Sequence, residues 1–330
     1  MRVRSLVPAL GLLATLAPVA SAADTPSITP RGWVDAIGTI SDDDKDGTKT
    51  EAGFTAEGLL AVKWTVGAKV SGEVAIKADT EGDEALVLAY ADWAITDKLT
   101  IRAGQSYGPL GYLAVEPTGL YTINASPVNI GGPESIFYGP AARGVTLTAV
   151  LAEKITGSFS IFDGSSADTD FDLAYAGDVV FTFDKGFVNV EGYYDVGAAP
   201  VGPGVEDESV MGLGVNGEYK VTDPLKVGAE LVYKSADEDT SIGFLAMANY
   251  ALATETPMSV TGMLQYAQTD VDATDTTPSD LSLQAALLTN PTGSSNFGVN
   301  GEVGFKMSDA DDGSDEVTSY WIAGEFLLSF

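Results

Sequence analysis

Phe54-Thr55-Ala56-Glu57-Gly58-Leu59-Leu60-Ala61-Val62-Lys63-Trp64 is the stretch on which the fold turns. Its even positions (Phe54, Ala56, Gly58, Leu60, Val62, Trp64) are greasy, while its odd positions (Thr55, Glu57, Leu59, Ala61, Lys63) are mostly polar. Successive side chains of an extended chain point to opposite faces, so a period of two gives a strand lying between two different media. After Thr65, Val66 and Gly67 the device repeats. Ala68, Val70, Gly72, Val74, Ile76 and Ala78 alternate with Lys69, Ser71, Glu73, Ala75, Lys77 and Asp79. Two such runs joined by three residues read as a tight hairpin.

The alternation continues to the end of the chain. Leu225, Val227, Ala229, Leu231 and Tyr233 oppose Lys226, Gly228, Glu230, Val232 and Lys234; Phe297, Val299, Gly301, Val303 and Phe305 oppose Asn296, Gly298, Asn300, Glu302 and Lys306. A soluble two-sheet sandwich also alternates, but its connections do not sort by length. Here very short turns (Thr96-Asp97-Lys98, Asp184-Lys185-Gly186, Thr222-Asp223-Pro224) take turns with longer acidic loops near 41–51, 163–170, 196–209, 269–280 and 308–315. Short turns at one end and long loops at the other predict an all-β, up-and-down antiparallel transmembrane β-barrel.

About sixteen strands are expected, an even number as bacterial outer-membrane barrels have. They fall near 30–41, 53–65, 67–79, 84–96, 98–106, 143–152, 155–163, 171–184, 186–196, 209–221, 225–235, 240–252, 258–268, 279–290, 295–307 and 316–330. Both termini then lie on the short-turn side. Trp64, Trp93, Phe183, Tyr219 and Phe330 sit near short-turn ends and Tyr233, Tyr266 and Tyr320 near long-loop ends, where amphipathic rings suit a membrane interface.

The first segment is for export. Arg2 and Arg4 precede an apolar run from Leu6 to Ala20, and Ala20-Ser21-Ala22 fits the small-x-small cleavage pattern. Residues 1–22 are thus expected to be a cleaved signal peptide and 23–330 a single barrel; the run is short for a membrane anchor. The 330-residue chain carries 17 basic and 47 acidic side chains, a net charge of −30, which repels nucleic acid. It has no His and no Cys, which removes Ser-His-Asp and Cys-His nucleophiles, His-bearing zinc sites, Cys-ligated clusters and disulfides. Paired acids such as Asp163 and Asp170 are too common in so acidic a chain to signal catalysis. No catalytic residues are identified and no enzyme is expected.

The tail and one loop carry a resemblance. Tyr320-Trp321-Ile322-Ala323-Gly324-Glu325-Phe326-Leu327-Leu328-Ser329-Phe330 ends on an aromatic residue with Leu328, Phe326, Ile322 and Tyr320 alternating behind it, and looks like the closing strand of Gram-negative outer-membrane barrels. The longest loop, 107–142, follows the fifth strand. In both respects the chain resembles the sixteen-stranded general-diffusion porins, whose corresponding loop folds into the lumen and narrows it. The resemblance spans the mature chain in architecture rather than in a sharp motif. It implies a passive outer-membrane channel for small hydrophilic solutes and ions, a homotrimer, and contact with lipid and lipopolysaccharide. Gly58 and Gly72 would suit close packing of subunits.

The loop is apolar, with Leu110, Tyr112, Leu113, Leu120, Tyr121, Ile123, Val128, Ile130, Ile136, Phe137 and Tyr138 against the acids Glu116 and Glu134. That content speaks for burial in the barrel, with Gly131-Gly132-Pro133 bending the chain to bring Glu134 to the constriction. A loop packed over the mouth, or used between subunits, stays open. Glu116, Glu134, Glu73, Arg102, Lys69 and Arg143 are the constriction candidates, and Asp92, Glu230, Glu302 and Glu325 the pore-lining ones. Carboxylates around a narrow water path raise local cation concentration, because a low-dielectric wall focuses their field. A weak preference for cations is therefore expected. Lys226 and Glu230 are candidates for pairing along one strand. A substrate-specific channel and a non-conducting structural or adhesion barrel remain as alternatives.

Asp42, Asp44 and Asp46, followed by Gly47, give the D-x-D-x-D-G opening of a calcium loop. Gly53 stands where the twelfth-position Glu would be, and strands flank the loop, so it is not an EF-hand. Two readings stay open: a looser Ca²⁺ or Mg²⁺ site reaching lipopolysaccharide phosphates or a neighbour, and a solvated loop tip. Asp309, Asp311, Asp312 and Asp315 invite the same remark. No cofactor is required.

Overall fold

A computed structural model describes residues 26–43, 50–79, 84–107, 122–123, 142–163, 173–198, 208–236, 239–271, 274, 276–289, 297–311 and 316–330. Sixteen strands follow one another: β1 (Ser27–Asp43), β2 (Glu51–Val66), β3 (Val70–Asp79), β4 (Glu84–Thr96), β5 (Leu99–Ser106), β6 (Ala142–Ala152), β7 (Ile155–Asp163) and β8 (Leu173–Phe183). The second half comprises β9 (Gly186–Ala198), β10 (Glu208–Lys220), β11 (Leu225–Ala236), β12 (Asp239–Leu252), β13 (Met258–Asp270), β14 (Ser279–Thr289), β15 (Phe297–Asp309) and β16 (Val317–Ser329). Each pairs antiparallel with the next, and β1 pairs with β16, which closes the barrel and leaves no sheet edge exposed. At the seam, Gly32 and Phe330 exchange two backbone hydrogen bonds of 2.9 Å. Ser27 lies opposite Thr65 beside the β2–β3 turn, so both ends of the barrel sequence sit on the short-turn side.

Register fixes which face each side chain takes. Leu60 and Val62 lie opposite Ile76 and Val74 on the outward face, and Leu60 is 60% exposed. Val303, 52% exposed, and Ile322 face one another on the same side. The aromatic residues follow: Trp93, Phe183, Tyr219, Phe330 and Tyr320 are all outward and exposed, with the Phe183 and Tyr219 rings 6.2 Å apart. Gly72 is not an open patch. A Cβ there would sit 2.4 Å from the Trp64 indole, so this glycine is a seat for the ring.

Two expectations need correction. β1 begins at Ser27, ahead of Pro30, because that stretch pairs with β2 alone; the closing strand joins only from Gly32, so the missing proline N–H is not needed by a second neighbour. The inward face is also less polar than alternation suggests. Trp33, Leu59, Ala61, Ala75 and Leu88 form a buried apolar cluster on the inner side of β1–β4, placed there because Leu60 and Ile76 hold the outward positions.

Candidate functional site

The inner wall gathers the polar chemistry, and it divides into three regions. On β1–β5, Arg31 donates through Nε to Glu73 Oε1 at 2.6 Å, with Nη2 2.5 Å from the same oxygen. Tyr90 OH donates to Glu73 Oε2 at 3.1 Å. One register step away, Arg102 grips Asp92 with two hydrogen bonds, 2.8 and 3.0 Å, and lies 4.0 Å from the centre of the Tyr90 ring. Bidentate pairing and the ring face hold this guanidinium in one orientation. Both arginines are thus occupied by carboxylates, as is Lys77 by Glu57 at 2.5 Å.

At the seam, on β15, β16 and β1, uncharged donors reach the carboxylates. Glu302, 2% exposed, accepts from Trp321 Nε1 at 2.8 Å and from the Ile123 backbone N–H at 2.7 Å. Trp321 reaches it by lying flat over Gly304, where a Cβ would meet the indole at 2.1 Å. Ile123 and its neighbour Thr122 are buried, and they belong to the segment between β5 and β6, far round the ring from β15. At this point that segment touches the inner wall. Glu325 accepts from Asn300 Nδ2 and hydrogen-bonds the Asp35 carboxyl beside it.

The third region, on β8–β11, carries Asp178, Asn189, Glu191, Asn216 and Glu230, all buried and all inward. Outside the strands, the exposed β6–β7 and β8–β9 turns are joined by Lys154 and Asp184 at 2.6 Å, and the ammonium holds the Asp184 carboxyl below its usual range.

Glu73, Arg102, Asp92, Glu230, Glu302 and Glu325 therefore face inward, but on separate walls rather than at one point. Lys69 lies in the β2–β3 turn, at the short-turn end of the barrel, and its backbone carbonyl accepts from the Ala94 N–H. Arg143 stands opposite Gln105 on the same face as the exposed Val145 and Leu147, so it points outward, at the long-loop end. Lys226 pairs with Glu218 of β10 at 3.2 Å. Glu116, Glu134, Asp44 and Asp46 lie outside the described residues. Asp42 shares the outward face with Tyr320 at the end of β1. Among the described residues no group of three potential ligands could hold a metal ion. Asp309 and Asp311 are used locally, in bonds to the Asp311 and Thr277 backbone N–H groups.

Sequence reasoning passed over Arg31, Tyr90, Asp178, Glu191 and Trp321. The first was legible: Arg31, Trp33 and Asp35 alternate with Gly32 and Val34 inside the strand expected near 30–41. The others required the register.

No protein-family model matches the chain, and no curated protein matches it. Solved structures do. The outer membrane channel DcaP of Acinetobacter baumannii shares 15% identity over 94% of this chain and 99% of its own, with a TM-score of 0.67. An anion-selective porin from Comamonas acidovorans shares 13% over 93% and 100%, with a TM-score of 0.63. In-vitro folded OmpT of Vibrio cholerae, in a trimer form, shares 11% over 92% and 100%, with a TM-score of 0.60. Such identities speak for the fold alone, and the fold is that of the sixteen-stranded outer-membrane porins.

Proposed function

We propose that this chain is an outer-membrane porin, exported behind a cleaved signal peptide at residues 1–22 and folded over 23–330 into a passive channel for small hydrophilic solutes and ions that favours cations. No catalytic step belongs to this reading. The observation that carries it is the sorting of side chains by face. Exposed Val, Leu, Ile and Phe cover the outside, with aromatic rings near both ends, as a hydrocarbon band with two headgroup layers demands. Inside, Arg31 and Arg102 are engaged by Glu73 and Asp92, while Glu302, Glu325 and Asp178 accept from uncharged donors, the Trp321 indole, the Asn300 amide and the Ser158 hydroxyl. The field left over in the lumen is negative, which draws cations and repels anions.

The contact of Ile123 with Glu302 supports an inward course for the 107–142 loop, with Glu116 and Glu134 at the constriction. The trimer form of OmpT supports a homotrimer surrounded by lipid and lipopolysaccharide. A divalent cation over Asp42, Asp44 and Asp46 belongs to the same proposal, and chelation should lower the heat stability of the oligomer; unchanged stability would contradict it. The test of the whole is the reversal potential of the purified protein in planar bilayers under a KCl gradient. A sign favouring K⁺ is expected; a sign favouring Cl⁻ contradicts the selectivity, and the absence of conductance steps contradicts the channel. A second reading, a substrate-specific channel, is favoured by the apolar cluster around Trp33 on the inner wall, and a saturable block by one solute class would support it.

A further inference from the structure

Two neighbouring rows cross the inner face of β7–β11. Ser158, Asp178, Glu191 and Gly214 stand in register in the first, and Val180, Asn189, Asn216 and Glu230 in the second. Asp178, Asn189, Glu191 and Asn216 are at most 9% exposed. Asn189 Nδ2 donates to Glu191 Oε2 at 3.0 Å, and the Ser158 hydroxyl bonds to Asp178. Three atoms here have no partner among the described residues: Asp178 Oδ1, Asn189 Oδ1 and Asn216 Nδ2, the last directly across the ladder from Asn189. Buried polar atoms are almost always satisfied, so three orphans on one patch call for a guest that brings its own polar groups.

The guest's chemistry follows from the balance of the patch. Acceptors outnumber donors, two of the side chains are carboxylates, and no Lys or Arg stands in either row. A simple metal ion would leave Asn216 Nδ2 without an acceptor. A cation carrying several N–H groups matches the carboxylates, as charge-assisted bonds are about twice as strong as neutral ones. Two residues along β9, Tyr193 stacks on Phe162 with ring centres 5.9 Å apart, offering an aromatic surface to a cation or its apolar stem. Gly214 completes the recess. A Cβ there would lie 2.7 Å from Glu191 Oε1, so the glycine gives that carboxylate its place.

We propose that Asp178, Asn189, Glu191 and Asn216 form a binding site for a small organic cation, a solute bearing a primary ammonium or a guanidinium group, within the channel proposed above, on which this inference rests. The test uses the purified full-length protein in planar bilayers, titrated with arginine and with 1,5-diaminopentane, and with glucose as the neutral comparison. Saturable current block by the two cations and none by glucose is expected. Asp178→Asn and Glu191→Gln should each weaken the block about tenfold, the scale of one lost charge-assisted bond. Gly214→Val, which leaves every charge in place, should weaken it by displacing Glu191. Unitary conductance and heat-modified gel mobility of each variant report that it folds. Wild-type conductance without block by either cation, or block that survives both carboxylate substitutions, overturns the site and leaves the channel standing. Absence of conductance overturns both.

Discussion

Glu302 accepts two hydrogen bonds from partners that are distant in sequence, the Trp321 indole and the Ile123 amide, and so ties the β5–β6 segment to the opposite wall. Glu302→Ala strands both donors, each at about 1–3 kcal/mol, and should lower the urea midpoint of unfolding while leaving a barrel. An unchanged midpoint would contradict the tether. On the other wall, Arg31→Met leaves Glu73, 3% exposed, without its cation, a loss on the order of 3 kcal/mol; Arg31→Met with Glu73→Gln should recover most of it. Additive losses in that double variant would show that the pair is not coupled. At this scale the sequence was only partly legible. Glu73 lies on the polar phase of the β3 alternation, with Ser71 and Lys77, so its direction could be read. Arg143 shares its phase with Val145 and Leu147, which argues for the outer face, but a cation beside a long loop invites placement in the lumen. Lys69 misleads because it continues the alternation of β3 by one residue into the turn.

At the level of elements, the β2–β3 hairpin and the closing strand are legible because one face meets hydrocarbon throughout and a one-residue slip would reverse it. Val303→Arg on the outward face of β15 should cost about 2–4 kcal/mol of folding into lipid vesicles if the position lies near mid-bilayer, and Val303→Leu almost nothing. Equal tolerance of both would place Val303 away from lipid. The start of β1 was not legible, since proline is normally read as a strand boundary and only the seam shows that Pro30 has a single ladder partner to satisfy. In the turns, Asp184 titrates below its usual range because Lys154 is beside it. Its folded value being lowered, the contact contributes above the ordinary carboxylate range and is lost as pH falls through the lowered value. An NMR titration of the Asp184 carboxyl should show this midpoint, and Lys154→Ala should return it upward; an unmoved midpoint would exclude the contact.

For the whole molecule, closure of β1 on β16 makes an inside and an outside from one alternating pattern, and the rest of the account depends on which medium each meets. Barrel class and approximate strand number followed from period and loop length. The inner wall did not, because Leu59, Ala61 and Ala75 occupy the phase assigned to water and only the register gathers them around Trp33. The chain has no cysteine, so single cysteines can be introduced for spin labels without background. The direct test is a scan of consecutive positions from Phe297 to Phe305 in β15, in lipid vesicles, comparing label collision with oxygen, which concentrates in hydrocarbon, and with a water-soluble nickel chelate. Oxygen collision should peak at Val299, Gly301 and Val303, and fall at Asn300, Glu302 and Gly304. A profile without period two, or with oxygen favouring Asn300 and Glu302, would contradict a cylinder that turns its apolar face to the membrane.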